Sequence, residues 1–343
     1  MTHCFFKVKT QFENLGDALI NRELIKQLKP TEKLIICIKN VPTDFLKNLD
    51  IESAVLVNSS IYFYYLMLKS RLSLNNVNYF LNPGGYGGKI SPKKVIMYLG
   101  TTFIFSLFKI IGIKVHRVGV SFSNLSTFHS YMLRLQSKVL YSNSVRDSLT
   151  FEICRKLKIR VSKIVPDLAF TLAYENSNLE KTYDIVISVR KPNNNIESLF
   201  IALDKIVKSA HGKILFIYQV KFDQDFQERL YSRYKSYDVE LRDLSKLLTE
   251  NERLFSQCKY VVSNRLHVLL LAMSKGAMPL ALIDPAENSK IIGIFKDANI
   301  FKLIKDYTNC NNAYFSNADI TTIQDIFINN HKLINDFFTD LNK

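Results

Sequence analysis

The run Lys259-Tyr-Val-Val-Ser-Asn-Arg265-Leu-His267-Val-Leu-Leu-Leu-Ala-Met-Ser-Lys-Gly276-Ala-Met-Pro-Leu-Ala-Leu-Ile283 decides the fold class. A short β-branched stretch, Lys259–Ser263, breaks at polar residues and restarts as the longer apolar segment Arg265–Lys275. Gly276 then turns the chain into a second strand-length run, Met278–Ile283. Two such runs separated by a helix-length one form a βαβ unit, whose parallel strands are buried on both faces.

The same rhythm extends outward. Strands are expected at Asp184–Val189 and Lys213–Tyr218, with helices near Ile196–Ser209 and Gln224–Tyr234. In the first half, strands are expected at Cys4–Lys9, Lys33–Lys39, Ala54–Asn58, Val77–Asn82, Lys114–Phe122, Val139–Ser144 and Val161–Val165. Helical patterns at Asp17–Leu28, Ile61–Leu72 and Ser148–Leu157 fall between them. Alternating β and α elements predict an α/β protein of two doubly wound parallel-sheet domains facing a cleft. The expected boundaries are an N-terminal domain at 1–172, a polar linker at 173–183 and a C-terminal domain at 184–319. A terminal helix at 320–343 would pack back across both. A chain of 343 residues that is 47% apolar has length and core enough for two domains.

Composition removes several classes. With 22% charged and 12% aromatic residues, the chain is neither disordered nor of low complexity. Its cysteines (4, 37, 154, 258, 310) form no CxxC pair, which excludes a zinc ribbon or disulfide scaffold and points to a reducing compartment. Residues 1–8 lack the apolar run of a secretory signal, so a cytoplasmic protein is expected. No metal is expected.

The charge is uneven. Residues 1–170 hold 24 Lys/Arg against 10 Asp/Glu, whereas residues 171–343 hold 22 against 21. From Ser53 to Arg146 there is no acid at all, against eleven Lys/Arg. Such a surface suits nucleic acid, an anionic membrane or an anionic substrate. No helix-turn-helix, RNP-type strand or zinc-finger spacing supports nucleic acid. The apolar stretch Val95–Phe108, flanked by Lys93, Lys94 and Lys109, is too short to span a bilayer. It is expected to be a core helix, with an interfacial helix as the alternative.

Ligands of open α/β sheets bind at the carboxyl ends of strands, and several short motifs fall there. In Asn14-Leu-Gly16-Asp17, Gly16 permits close backbone approach, and Asp17 reads equally as a helix cap or a base. Asn82-Pro-Gly84-Gly85-Tyr-Gly-Gly is expected as a loop whose exposed backbone could take an anion or sugar hydroxyls. Val145-Arg146-Asp147 sets a planar guanidinium at a strand end, suited to a carboxylate or phosphate. His267 follows Arg265 by two residues at a helix start, where both could reach one anion. Lys290 stands near another helix start, after Asp284-Pro-Ala-Glu-Asn-Ser.

Taken in order, N-L-G-D at 14–17, P-G-G at 83–85, G-V-S at 119–121, V-R-D at 145–147, P-D-L at 166–168, S-V-R at 188–190, S-N-R-L-H at 263–267 and K-I-I-G at 290–293 resemble the polysaccharide pyruvyl transferase family. The resemblance implies a GT-B-like fold of two Rossmann-type domains. It also implies transfer of pyruvate from phosphoenolpyruvate, a co-substrate, onto two sugar hydroxyls as a cyclic ketal, with no cofactor. By motif position Asp17, Arg146 and His267 would be catalytic. Arg146, Arg265, His267 and Lys290 would hold the donor, and Asn14, Gly16, Gly84 and Gly85 would serve the acceptor. The acceptor would be a cell-surface glycan or a polyprenyl-diphosphate-linked oligosaccharide, met through peripheral contact of the basic half with the inner membrane face. Two features depart from the family pattern: Phe122-Ser follows Gly119-Val-Ser where another glycine is usual, and the stretch before Lys290 is long. The competing reading is a GT-B glycosyltransferase using a nucleotide sugar. It would want an acid on a C-domain helix to hold ribose, and none lies between Arg265 and Ile283.

Overall fold

The computed structural model describes residues 1–88, 90–175, 180–309 and 320–342. Lys89, residues 176–179 of the expected linker, residues 310–319 with Cys310, and Lys343 lie outside the described residues. The chain forms two compact units: Met1–Gln11, Ile20–Leu168 and Lys332–Lys343 make the first, and Phe12–Leu19 with Ala169–His331 the second.

The first unit is built on a parallel sheet of β1 (Thr2–Lys7), β2 (Lys33–Cys37), β3 (Val55–Val57), β4 (Asn76–Leu81), β5 (Gly84–Gly88), β6 (Ile113–Leu125), β7 (Ser142–Val145) and β8 (Lys163–Ile164). Their order is β3-β2-β1-β4-β6-β7-β8, with β5 paired to β6. Between them run α1 (Leu15–Leu28), α2 (Thr43–Leu46), α3 (Ser60–Leu72), α4 (Pro92–Ile110), α5 (Thr127–Ser137) and α6 (Ser148–Lys156). From β3 the chain crosses back over β2 and β1 to β4, then steps on to β6 and β7. Right-handed crossovers in that single direction set α3, α4 and α5 on one face. Phe63 and Met67 of α3 and Phe105 and Phe108 of α4 accordingly share one core cluster with Val77, Tyr79 and Val115 of the sheet.

Two sequence expectations change here. Gly84–Gly88 is a strand rather than an open loop: a side chain at Gly87 would meet the Ser123 carbonyl oxygen at 2.5 Å, so the missing side chains let β5 lie close along β6. Residues 95–108 are helical, but their outer side faces solvent; on α4 only Phe105 and Phe108 are buried. Two cations of the acid-free stretch are also internal. Arg117 is buried against Gln136, Asn143 and the ring of Tyr86, and Arg146 is buried at the end of β7. The described cysteines are buried free thiols.

The second unit carries β9 (Tyr183–Ser188), β10 (Ile214–Tyr218), β11 (Val239–Asp243), β12 (Cys258–Ser263), β13 (Met278–Ile283) and β14 (Ile304–Asp306), all parallel, in the order β11-β10-β9-β12-β13-β14. Helices α7 (Ile196–Lys208), α8 (Gln224–Arg233), α9 (Leu248–Ser256), α10 (Leu266–Ser274) and α11 (Ser289–Asp297) connect them, and α12 (Ile320–Asn342) ends the chain. Ile185, Ile187, Leu203, Phe216 and Leu282 anchor its core.

Both units reverse strand order beside their first strand, and both fasten that point with an asparagine. Asn82, after β4, accepts from the Lys9 N–H at 2.9 Å and donates to the Lys7 carbonyl at 2.8 Å. Asn264, after β12, accepts from the Arg190 N–H at 2.7 Å and donates to the Arg190 carbonyl at 2.8 Å. In open α/β sheets this reversal opens the crevice that takes ligands.

Candidate active site

Within the second unit, the turn that opens α1 and the start of α10 come together from distant parts of the sequence. Asn14 ends the turn. Its Oδ1 accepts from the Gly16 N–H at 3.0 Å, its carbonyl accepts from the Asp17 N–H at 3.0 Å, and its Nδ2 donates to Asp17 Oδ1 at 3.2 Å. Asp17 is thus fixed in the first helical turn, where the helix dipole favours its negative charge. Gly16 lies against His267: a Cβ there would fall 2.6 Å from His267 Nδ1 and 3.2 Å from His267 Cβ. Gly16 has no positive φ, so this contact, rather than backbone conformation, excludes a side chain.

His267 occupies the first turn of α10, half-buried. The preceding Ser263 Oγ donates to the Ser188 carbonyl and accepts from the Arg265 N–H, which sets the angle at which β12 enters the helix. Arg265, at the N-cap, makes no capping hydrogen bond; its guanidinium instead turns to Asp223, bonding through Nε at 2.5 Å and through Nη2. Burial is the largest influence on both partners. It raises the Asp223 pKa and lowers that of Arg265, against the opposite charge that each supplies to the other. Arg190 is near enough to act on both electrostatically. The Arg265–Asp223 pair, with Arg190 nearby, therefore stands beside the N-terminus of α10, and free N–H groups at a helix start receive anions.

The neighbouring strand ends are tied in as well. Buried Asp284, after β13, accepts from Asn195 Nδ2 at 2.9 Å, and Glu287 accepts from the Asn193 and Asn194 N–H groups at 3.0 Å. These bonds hold the segment after Arg190 against the turn that leads to Lys290, in the first turn of α11. Arg190, Arg265, His267 and Lys290 thus follow β9, β12 and β13, three adjacent strands.

In the first unit, Arg146 is held in a different way. Its Nη1 pairs with Asp167 at 2.5 Å, both side chains being almost fully buried, and its Nε donates to Ser121 Oγ at 2.6 Å. Ser121 Oγ in turn donates to Asp147 at 2.8 Å, and Asp147 caps α6 by accepting from the Thr150 N–H at 2.7 Å. Gly84 is buried and Gly85 exposed at the start of β5.

Sequence reasoning missed Asp223 and the full partnership of Asp167 with Arg146. Asp223 lies just beyond the end of β10, in Lys221-Phe-Asp223, a strand-end position that could have been searched once Arg265 was selected. Among the described residues no group of three His, Cys, Asp or Glu side chains could hold a metal ion, and no helix is long and apolar enough to cross a membrane.

Comparison of overall structure places the chain beside proteins of similar architecture. It is similar to Anabaena Alr3699/HepE in complex with UDP, with TM-score 0.55 and 11% identity over 99% of each chain. The Staphylococcus aureus MnaA–UDP structure gives TM-score 0.51 and 10% identity over 97% of this chain and 89% of that one. The Neisseria meningitidis UDP-GlcNAc 2-epimerase bound to UDP-GlcNAc gives TM-score 0.50 and 14% identity over 99% and 98%. At these identities the likeness shows the fold alone: two parallel-sheet α/β units of GT-B type. A sequence comparison with curated proteins gives no match. The family model for polysaccharide pyruvyl transferase matches residues 14–278, from the Asn14–Asp17 turn through Arg146, Arg265 and His267 into β13. The chain belongs to the polysaccharide pyruvyl transferase family.

Proposed function

We propose that this enzyme transfers pyruvate from phosphoenolpyruvate to two hydroxyls of one sugar in a cell-surface glycan or its polyprenyl-diphosphate-linked precursor, forming a cyclic ketal. The observation that carries this reading is the packing of Gly16 against His267, which brings the Asp17-bearing turn to the start of α10. An acid–base pair and a fixed arginine then share one region, as the reaction requires.

The donor carries a carboxylate and a phosphate on one small skeleton. Arg265 and Lys290, with the N–H groups that open α10, supply compensating charge, and charge-assisted hydrogen bonds contribute about 1.5–3 kcal/mol each. Arg146, which the family resemblance also implies for the donor, is bonded to Asp167 and Ser121 within the first unit. His267 delivers a proton to the vinyl carbon C3, leaving an oxocarbenium-like centre at C2. The first sugar hydroxyl adds to C2, passing its proton to Asp17. The C2–O bond to phosphate then breaks, and the second hydroxyl closes the ring, its proton leaving with phosphate. Return of the proton from Asp17 to His267 resets the pair, so that one donor and two hydroxyls give one ketal and one inorganic phosphate, with no change in oxidation state. General acid–base participation is worth about 10²–10⁴-fold in rate. A donor made in the cytoplasm and a lipid-borne acceptor would bring the reaction to the inner membrane face.

The structurally similar proteins that hold UDP keep the second reading, a nucleotide-sugar glycosyltransferase, in view. The acid-free interval from Arg265 to Ile283 speaks against a ribose clamp on α10. Thermal unfolding with each ligand separates the two. Phosphoenolpyruvate at a hundred times its Kd should add about 2.7 kcal/mol of stability, while UDP- and GDP-sugars leave the melting point unchanged. The reverse pattern would reject pyruvyl transfer.

A further inference from the structure

We infer that the outer face of the α3–α4–α5 layer docks on the surface of an anionic phospholipid bilayer. On α4, Ile96, Leu99, Phe103, Leu107 and Ile110 recur at intervals of three and four residues and form one stripe, opposite the buried Phe105 and Phe108. The stripe is open to solvent, with Ile96 71%, Phe103 65% and Ile110 79% exposed. Ile61, Tyr65, Leu68 and Leu72 repeat the spacing on α3, and each is exposed. The two helices pack on the same core beneath, so their stripes lie on one side of the sheet. Contiguous apolar surface of this kind marks an interaction face.

Charge selects the partner. Exposed Lys93 and Lys94 stand at one end of α4 and exposed Lys109 at the other, with Lys69 on α3 and Lys138 after α5. The whole segment that builds this layer, Ser53–Arg146, contains no Asp or Glu. A second copy of the chain meeting it face to face would present the same positive, acid-free surface and be repelled. A lipid surface supplies both complements at once: acyl chains for the stripes, phosphate groups for the lysines. No described helix is suited to cross a bilayer, so α4 lies along the surface rather than through it.

This inference deepens the membrane-face location of the proposed reaction by naming the surface that would dock, and its observations are those of the surface alone. Its test uses neither donor nor acceptor, so its failure would leave pyruvyl transfer untouched. The full chain is sedimented with vesicles of phosphatidylcholine, with and without phosphatidylglycerol. Binding is expected only with phosphatidylglycerol, and should fall at high salt. Each lysine removed should weaken partitioning about fivefold at low salt, so Lys93→Glu/Lys94→Glu/Lys109→Glu, which also adds three repelled carboxylates, should lose more than about a hundredfold. The chain contains no tryptophan. Phe103→Trp therefore gives a single reporter whose emission should shift to the blue on vesicle binding, while Phe222→Trp, on an exposed site of the second unit, should not shift. Circular dichroism confirms that each variant folds. The proposal is overturned if the wild-type chain ignores phosphatidylglycerol vesicles at low salt, if the triple charge reversal binds undiminished, or if the Phe222 reporter shifts and the Phe103 reporter does not. It is equally overturned if the chain forms a dimer that Phe103→Asp/Ile110→Asp splits, for the face would then belong to a second copy.

Discussion

Replacing Gly16 by alanine puts one methyl group where His267 already stands. The added carbon would lie 2.6 Å from Nδ1 and 3.2 Å from Cβ of His267, with Asn14 Oδ1 also at 3.2 Å. Ordinary carbon contacts begin near 3.5 Å, so the imidazole must retreat by about 1 Å. Rotation of the ring can carry Nδ1 away, at the cost of its placement, but His267 Cβ, next to the backbone, must also give by a few tenths of an ångström. The start of α10 and the Asn14–Asp17 turn must therefore part. Overpacking of this kind costs about 1–3 kcal/mol, and a 1 Å misplacement of a reacting group costs about 10²-fold in rate. The assay is phosphate release from phosphoenolpyruvate with an acceptor glycan, paired with urea unfolding. Gly100→Ala is the control. Nothing lies within 4 Å of a Cβ at that helical position, and alanine there should add about 0.5–1 kcal/mol with turnover unchanged. A Gly16→Ala enzyme with full turnover and stability would refute the claim that this contact positions the site.

Three more expectations follow from buried groups. Asp167→Ala leaves Arg146 charged and buried without its partner, so urea unfolding should show a loss of about 3–5 kcal/mol; an unaltered midpoint would mean that Arg146 reaches water. Asp223→Ala releases the guanidinium of Arg265, and calorimetric titration should show phosphoenolpyruvate binding weakened about tenfold or more, on the scale of a hydrogen bond to a charged group; unchanged affinity would remove Asp223 as a positioning residue. Burial pushes the His116 pKa down to about 3, below its ordinary value near 6.5. The unfolded chain therefore takes up a proton that the folded one refuses, and stability falls as the pH drops from about 6.5 toward 3. At pH 4.5 this should cost about 2–3 kcal/mol, and His116→Gln should lose that part of the acid sensitivity; an identical acid profile for both proteins would contradict it.

The alternation of the sequence made both parallel sheets legible because their strands, buried on two faces, are continuous apolar runs. Lys33–Cys37, Ile214–Tyr218 and Met278–Ile283 stand out for this reason. Strands without that signature were hidden. Gly84–Gly88 has almost no side chains to read, and Val239–Asp243, an outer strand, mixes Val and Leu with Glu, Arg and Asp. Helix α4 reads as core because it is apolar nearly all round, and composition cannot tell a helix sunk in a core from one whose second face meets solvent. At the site, strand-end position selected Asp17, Arg146, Arg265, His267 and Lys290, and marked the P-D-L motif that holds Asp167, but it did not reveal which partners fix the two arginines. Asp223 and Asp167 reach their arginines through space, across 42 and 21 residues of sequence. No local spacing announces such pairs.

The most direct measurement is the stoichiometry of turnover on a candidate glycolipid, with phosphoenolpyruvate as the only donor. One inorganic phosphate should be released for each pyruvate that becomes bound to the glycan as an acid-labile ketal, with both lost in His267→Ala. Release of nucleoside diphosphate from a nucleotide sugar, with phosphoenolpyruvate left intact, would contradict it.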